Sequence, residues 1–379
     1  MPFTTKGIMP HPVYFLDLMT SFKENRLQRI DRLLDRVPFS KPLVKKNLVA
    51  VKIHFGEKGN TAYVKPIYLR PITDKIRDWG GKPFLTDANT LYVGTRSDSV
   101  SHLQTALENG FSFTTVGAPL VIADGIKGRS TIRVPIHQKH FEAVSIAADI
   151  VEADAMVSVA HFKGHELSGF GGTLKNLGMG CASREGKLSQ HSNTAPKVTR
   201  KKCLGCGECL SHCAQEAIAF QEKKAVINPE KCVGCGECIL ICPQEAIQIR
   251  WNPSITVFQQ KMVEYALGVL KGKEGRAIFL NFLTDISPAC DCYDHSDRPI
   301  VRDIGILAST DPLAIDQASV DLVNNEPGNK DSALTKNYQS GEDKFRGVYP
   351  KIDWEVQLHY AEEIGLGTRK YELIILGEK

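Results

Sequence analysis

Cysteine is the residue type here with the most chemistry to offer, and eight of the eleven cysteines fall between Cys203 and Cys242. Two near-copies follow each other in that stretch, CLGCGECLSHCAQEAIAF from Cys203 and CVGCGECILICPQEAIQI from Cys232, agreeing at 11 of 18 aligned positions. Each copy has the spacing CxxCxxCxxxC, which sets three thiolates around one tight loop and sends the fourth away on the next turn. That geometry suits a cubane iron-sulfur cluster in which the fourth cysteine of each copy reaches the other cluster. The expected ligand sets are Cys203, Cys206, Cys209 and Cys242 for one 4Fe-4S cluster, and Cys232, Cys235, Cys238 and Cys213 for the second. A zinc ribbon or a disulfide staple also uses paired CxxC. Four evenly spaced thiols per copy, the intervening Gly205, Gly207, Gly234 and Gly236, and Pro243 closing the second copy all favour clusters.

A second polar concentration runs from His161 to His191, HFKGHELSGFGGTLKNLGMGCASREGKLSQH. Gly169, Gly171 and Gly172 make a flexible connection into a helix from Thr173, the kind of strand-to-helix turn that can present backbone N–H groups to an anion. Lys175 and Arg184 are expected to help bind that anion, with His161, Lys163 and His165 beside it. Further along, CDCYDHSDRPIVRD places Cys290, Cys292 and His295 past the end of an apolar strand. With Cys181, these residues could supply protons, a thiol, or ligands to an additional metal or other bound group. A glycine-rich surface loop and a pair of buried structural cysteines are the plainer alternatives.

What must position these residues is a large domain. The cysteine segment accounts for about 50 of 379 residues, and 42% of the chain is hydrophobic, as in globular proteins. A net charge of +4 with no basic tract gives no ground for a nucleic-acid partner. No apolar run is long enough to span a bilayer and the N-terminus lacks the order of a signal peptide, so neither a membrane nor a secreted location is expected. A cytoplasmic chain with this many cysteines uses them as ligands or reactive thiols, because disulfides rarely persist there.

Apolar strands and amphipathic helices alternate along the rest. Strands are expected over 13–19, 48–55, 82–88, 120–123, 155–162, 277–286 and 371–376, and helices over 23–36, 66–79, 98–109, 142–153, 257–270 and 354–366. A further helix is expected at Pro312, with Asp311 as its cap. The alternation implies an α/β class, a mostly parallel sheet with helices on both faces. It resumes after the cysteines, so the segment 198–250 reads as a small α+β insertion between an α/β first part, 1–197, and a second part, 251–379.

Residues 198–250 resemble the bacterial two-cluster ferredoxin domain. The motifs VKIHFGEKGN, FLTDANTLYVGTRSD, HFKGHELSGFGGTLKNLGMGC and CDCYDHSDRPIVRDIGILASTDPLAID, with HYAEEIGLG, make the chain similar to domain-of-unknown-function family 362 in its ferredoxin-bearing form. That resemblance implies an iron-sulfur protein without an assigned substrate, and a host domain distantly similar in fold to nickel-dependent lactate racemase. The leading expectation is an oxidoreductase. Single electrons from a partner such as ferredoxin or flavodoxin would pass through two clusters to a small anionic substrate or cofactor in the α/β domain. An electron-transfer subunit docking on a larger oxidoreductase and a metal-dependent isomerase or lyase are the alternatives. The oligomeric state is left open, a dimer included.

Overall fold

Runs of five to seven apolar residues become strands of one large sheet, because a strand covered on both faces needs apolar side chains on both. The structure is a computed structural model and describes residues 9–39, 45–192, 195–232, 234–250 and 254–377. In chain order its first part contains β1 (His11–Asp17), β2 (Leu48–Lys52), β3 (Lys82–Asp87), β4 (Leu120–Ile122), β5 (Thr131–Pro135), β6 (Ala143–Ala147), β7 (Ala155–His161), β8 (Lys163–His165) and β9 (Gly169–Gly171). The cysteine segment adds β10 (Lys197–Val198), β11 (Ile218–Gln221), β12 (Lys224–Ile227) and β13 (Ile247–Gln248). The last part holds β14 (Ala277–Leu283), β15 (Gly305–Ser309) and β16 (Tyr371–Ile375).

Eight of these strands form one sheet in the order β16-β1-β15-β14-β7-β2-β3-β4. From β14 to β4 every neighbour is parallel, whereas β15 runs antiparallel to both β14 and β1. Alternate residues face opposite sides. Val49, Val51 and Val157 meet Ile30, Leu33, Ile72 and Ile76 of the helices Arg26–Arg36 and Leu69–Asp78. Ala50, Met156 and Phe279 face the other way, toward Val263, Ala314 and Leu358 of the helices Ile255–Leu270, Pro312–Asn325 and Glu355–Glu363. Each such side chain contributes about 1.5–3 kcal/mol on burial. The α/β class with helices on both faces is thus the observed one. No described helix is long and apolar enough to cross a membrane.

One expectation fails locally. The segment Glu142–Ala153 is not one helix: residues 143–147 form β6, followed by a short helix Ala148–Glu152. Its apolar residues fit a helical period, but β5 lies antiparallel beside it, pairing Ile132 with Ile146 and Val134 with Val144, and supplies the backbone partners of a strand. Neither β5 nor the antiparallel β15 is foreshadowed by the alternating pattern.

The cysteine segment enters and leaves the host domain side by side, because β10 pairs antiparallel with β13, Lys197 opposite Gln248. Between them the two copies fold alike. Thr199 N–H donates to Ala246 O and Asn228 N–H to Ala217 O, both at 2.7 Å, a pair of bonds related by the 29-residue offset between the copies. β11 and β12 pair with each other between the copies.

Candidate functional site

In an open parallel sheet the crevice opens at the carboxyl ends of the strands, where successive connections turn in opposite directions. Here β2 continues to β3 on one side, while β7 lies on its other side and leads on to β14. A cleft of about 710 Å³ opens at this point, with Lys52 from the end of β2, Asp87 from β3 and His161 from β7 on its walls. Asn176 stitches the switch point together: its amide donates to Ser158 Oγ at 2.9 Å and its carbonyl accepts from Lys52 Nζ at 3.0 Å.

The cleft is rich in cations. Lys52 Nζ lies 3.0 Å from Asp87, and Arg96 lies 3.1 Å from Glu57 and 3.6 Å from Asp87. Burial alone would raise the Asp87 carboxyl. Lys52, His102 and His54 outweigh it and hold the group well below the usual carboxylate range. Lys175 and Lys187 also line the cleft and have no carboxylate partner among the described residues. Lys175 Nζ meets Cys290 Sγ at 3.4 Å, and Lys187 Nζ donates to Ala182 O at 2.5 Å. Burial brings the Lys187 ammonium down to about 8, against the opposing pull of Asp124 and Asp87.

The Cys290–Cys292 loop is fixed by the residue between its thiols. Asp291 is fully buried; its carboxylate accepts from His161 Nδ1 at 2.7 Å and Lys163 Nζ at 2.8 Å. Burial opposes ionisation of Asp291, yet His161 and Lys163 keep it well below its ordinary value. With Asp291 held among these groups, both neighbouring thiols line the cleft. Among the described residues no three His, Cys, Asp or Glu side chains close around a point as they would around a single ion.

The eight thiols of the duplicated segment divide into two groups. Cys203, Cys206, Cys209 and Cys242 line one cavity walled entirely by residues 203–247. Cys213, Cys232, Cys235 and Cys238 line another, which Gly128, Arg129, Thr131 and Glu185 of the host domain help to close. Backbone N–H groups point at three sulfurs: Ala217 to Cys213 at 3.3 Å, Ala246 to Cys242 at 3.2 Å and Ala225 to Cys203 at 3.5 Å. The second group faces the cleft domain. Gly236, at a φ of +71°, leaves only 3.0 Å between an added Cβ and Leu91 Cδ1, and Leu91 and Ile249 both line the cleft.

The family model described as Domain of unknown function (DUF362) matches residues 49–321. The chain belongs to this family. Two solved structures resemble the DUF362 chain. One is the lactate racemase apoprotein from Thermoanaerobacterium thermosaccharolyticum, at 14% identity and a TM-score of 0.38, covering 75% of this chain and 53% of that one. The other is a protein from Thermotoga maritima, at 10% identity and a TM-score of 0.36, covering 92% of this chain and 60% of that one. The chain therefore spans about half the length of the first, at 53%. No curated protein matches it.

In this DUF362 protein the expected site residues separate into groups. His165, Lys175, Cys290 and Cys292 converge on the cleft with Gly171 and Gly172. His161 and Lys163 also reach it, but their polar ends hold Asp291. Cys181 lies in the hydrophobic core, its thiol 3.7 Å from Asn176 O, and burial pushes it up to about 11. His295 is exposed beside Asp294, and Gly169 turns the β8–β9 hairpin near Trp354. Neither His295 nor Gly169 lines the cleft.

Two expected anion binders are otherwise engaged. Arg184 is 1% exposed and donates to Thr90 O, Ser97 O and Glu237, joining the host domain to the second cysteine copy. The N-terminus of the Thr173–Gly178 helix is closed by the chain's own carboxylate, since Asp316 accepts from Thr173 N at 2.7 Å and Leu174 N at 2.9 Å. Gly172 is required there: a Cβ would stand 2.4 Å from Asp316 Oδ1. Asp316 is therefore buried, not the solvated helix residue its position suggests, and burial raises its carboxyl to about 6. Lys52, Asp87 and Arg96 were missed, whereas Asn176 lies in the polar stretch from His161 to His191 that the sequence singles out. One signal was available for the first, a lysine ending the apolar run LVAVK.

Proposed function

We propose that this protein is an iron-sulfur oxidoreductase acting on a small anionic substrate in the Lys175–Lys187 cleft. One observation carries the reading: the eight duplicated cysteines fall into two groups of four, each taking its fourth thiol from the other copy, and the second group abuts the wall of the cleft. Cys203, Cys206, Cys209 and Cys242 would hold one 4Fe-4S cluster, and Cys213, Cys232, Cys235 and Cys238 the other. Four thiols around a cubane stand apart by the width of the cluster, so a cage tight enough for one ion is not what they need. The N–H groups of Ala217, Ala246 and Ala225 suit a charged sulfur-ligated group, whose potential responds to such hydrogen bonds. When bound, the pair supplies single-electron transfer.

The rest is the work of the chain's own residues. Lys175 and Lys187 attract the anion, Lys52 and Asn176 form the floor, and Leu91 and Phe258 screen the cleft from water. A carrier subunit without a substrate of its own would have no use for a cleft lined by two lysines without carboxylate partners among the described residues and by a thiol pair. A metal-dependent isomerase would need a cation where the cleft already concentrates Lys52, Arg96, Lys175 and Lys187. Anaerobic reconstitution followed by iron and sulfide analysis and electron paramagnetic resonance tests the reading. Eight irons per chain with two interacting reduced signals are expected; stoichiometric zinc bound by the same cysteines would overturn it.

A further inference from the structure

Two thiols separated by one residue have different surroundings from the other free cysteine of the host domain. Cys181, packed among apolar neighbours, is the pattern of an inert buried thiol. Cys290 is just as enclosed, at 2% exposure, yet three polar groups address its sulfur. Lys175 Nζ lies 3.4 Å away, and the Cys292 thiol and the His165 ring are near enough to favour its thiolate. His165 Nδ1 already accepts from Leu167 N and Ser168 N, both at 3.2 Å, so Nε2, 3.6 Å from Glu166 Oε1, is the nitrogen left to carry the proton. The Cys292 contact, together with Lys175, His165 and Lys163, outweighs burial and holds the Cys290 thiol well below its ordinary value, while Cys292 is pushed up.

We infer that Cys290 and Cys292 form a dithiol/disulfide couple, Cys290 attacking and Cys292 resolving, that reduces a small anionic substrate at a sulfur–sulfur bond. A thiolate used only for acyl transfer needs a base and an oxyanion donor. A second thiol held against the first is instead what releases a mixed disulfide. The cleft supplies the charge preference, since Lys175 and Lys187 line it without carboxylate partners among the described residues.

The steps balance as thiol–disulfide exchange. The Cys290 thiolate attacks one sulfur of the substrate, the sulfur–sulfur bond breaks, and the leaving thiolate takes a proton from solvent. The Cys292 thiol then loses its proton and attacks Cys290 Sγ, releasing the second half of the substrate as a thiol and leaving a Cys290–Cys292 disulfide. The substrate has gained two electrons and the protein has lost two. Two electrons and one proton restore the Cys290 thiolate and the Cys292 thiol, the electrons arriving singly from a low-potential one-electron carrier through the cysteine segment. This return step rests on the function proposed above; the exchange itself does not.

The test uses the full chain, without oxygen, and dithiobis(nitrobenzoate), a dianionic aromatic disulfide, as the probe. The expected result is a fast phase releasing two thionitrobenzoate anions per chain and leaving a Cys290–Cys292 disulfide in the peptide map. Cys292→Ser should release one anion and trap the probe on Cys290. Cys290→Ser should lose the fast phase while melting like the wild type. Lys175→Met should slow the phase by about ten-fold or more, because a nearby cation favours the thiolate. A fast phase that maps to any other cysteine, or a Cys292→Ser chain that traps nothing on Cys290, would overturn the inference. Peptide mapping does not depend on iron. A chain without clusters that still traps the probe at Cys290 would therefore support the thiol couple and sink only the cluster assignment.

Discussion

The Arg184 guanidinium lies 3.3 Å from the Glu237 carboxylate, and both side chains are buried, at 1% and 8% exposure. The same arginine donates to the carbonyls of Thr90 and Ser97, the two ends of the loop that carries Leu91 over the cleft. One side chain thus joins the second cysteine copy, the cleft wall and the host helix Arg184–His191.

Replacing Arg184 by Ala leaves Glu237 buried with only the more exposed Arg129 at 3.2 Å and Lys127 at 3.6 Å. Removing one partner of a buried pair costs about 3–5 kcal/mol, and the low end applies here because two cations remain. The expected outcome is a lower melting temperature, with faster hydrogen exchange in residues 88–97 and 234–241 together. Unchanged exchange in both segments would remove Arg184 from this role.

The pH dependence of Cys290 alkylation should report its neighbours. Loss of the neighbouring Cys292 thiol in Cys292→Ala, or of the cation in Lys175→Met, disfavours the thiolate, so the midpoint of alkylation by iodoacetamide moves to higher pH in both. Each unit of upward shift lowers the thiolate fraction at neutral pH about ten-fold. Mass-mapped alkylation rates across a pH series check this, and an unmoved midpoint in both variants would contradict the assigned contacts.

Lys187 supplies a second pH signature. Its ammonium is held by burial at about 8, below the ordinary 10.5, with Asp124, Asp87, Lys52 and Cys181 around it. The sign for binding is direct: an anion held by this ammonium is lost as pH climbs through about 8. The sign for stability is the reverse. The unfolded chain keeps the proton up to about 10.5 while the folded one has released it, so stability rises from about 8 to about 10.5. Lys187→Met should flatten both differences, read by calorimetric titration with inorganic phosphate and by denaturant melts.

Asp316→Ala uncaps the helix that presents Lys175 and leaves Asn281 Nδ2 without its 2.8 Å acceptor. Each buried donor left unmade costs about 1–3 kcal/mol. The melting temperature should fall by several degrees, and the Cys290 midpoint should rise because Lys175 is no longer fixed. Since burial raises Asp316 to about 6 from 3.8, its ionisation cost is absent below about 3.8 and fully present above about 6. The wild-type minus Asp316→Asn stability difference should therefore shrink as pH rises across that window.

If the two groups of thiols hold clusters as proposed, removal of the metal should be staged. Cys206 is exposed and its cavity has no wall from the host domain, whereas the second group lies against Arg129, Thr131 and Glu185. A chelator under mild oxidant should strip the first set of thiols before the second, read as alkylation of Cys203, Cys206 and Cys209 ahead of Cys232, Cys235 and Cys238. The small core of Ile218, Ala225, Ile239 and Ile247 around these cysteines should then lose exchange protection while β7 and β14 keep theirs. Simultaneous loss in both would argue against two separate sites.

The sequence by itself determined the class of the host fold and proposed the cysteine partition. Eleven residues of chain can reach only a short distance, so a CxxCxxCxxxC spacing dictates which thiols share a loop, and duplication dictates where the fourth goes. Mostly apolar runs such as AMVSVAH and AIFLNFL likewise dictate strands covered on both faces. The tertiary structure alone decided the site. Lys52, Asp87, Lys175, Lys187 and Cys290 meet only because β14, β7, β2 and β3 lie side by side in that order, and strand order leaves no mark on local periodicity. The same reason separates Arg184 and Cys181 from the cleft although they lie in the same glycine-rich stretch as Lys175 and Lys187. A side chain's chemistry is set by what the fold packs against it, here Glu237 for one and the core for the other.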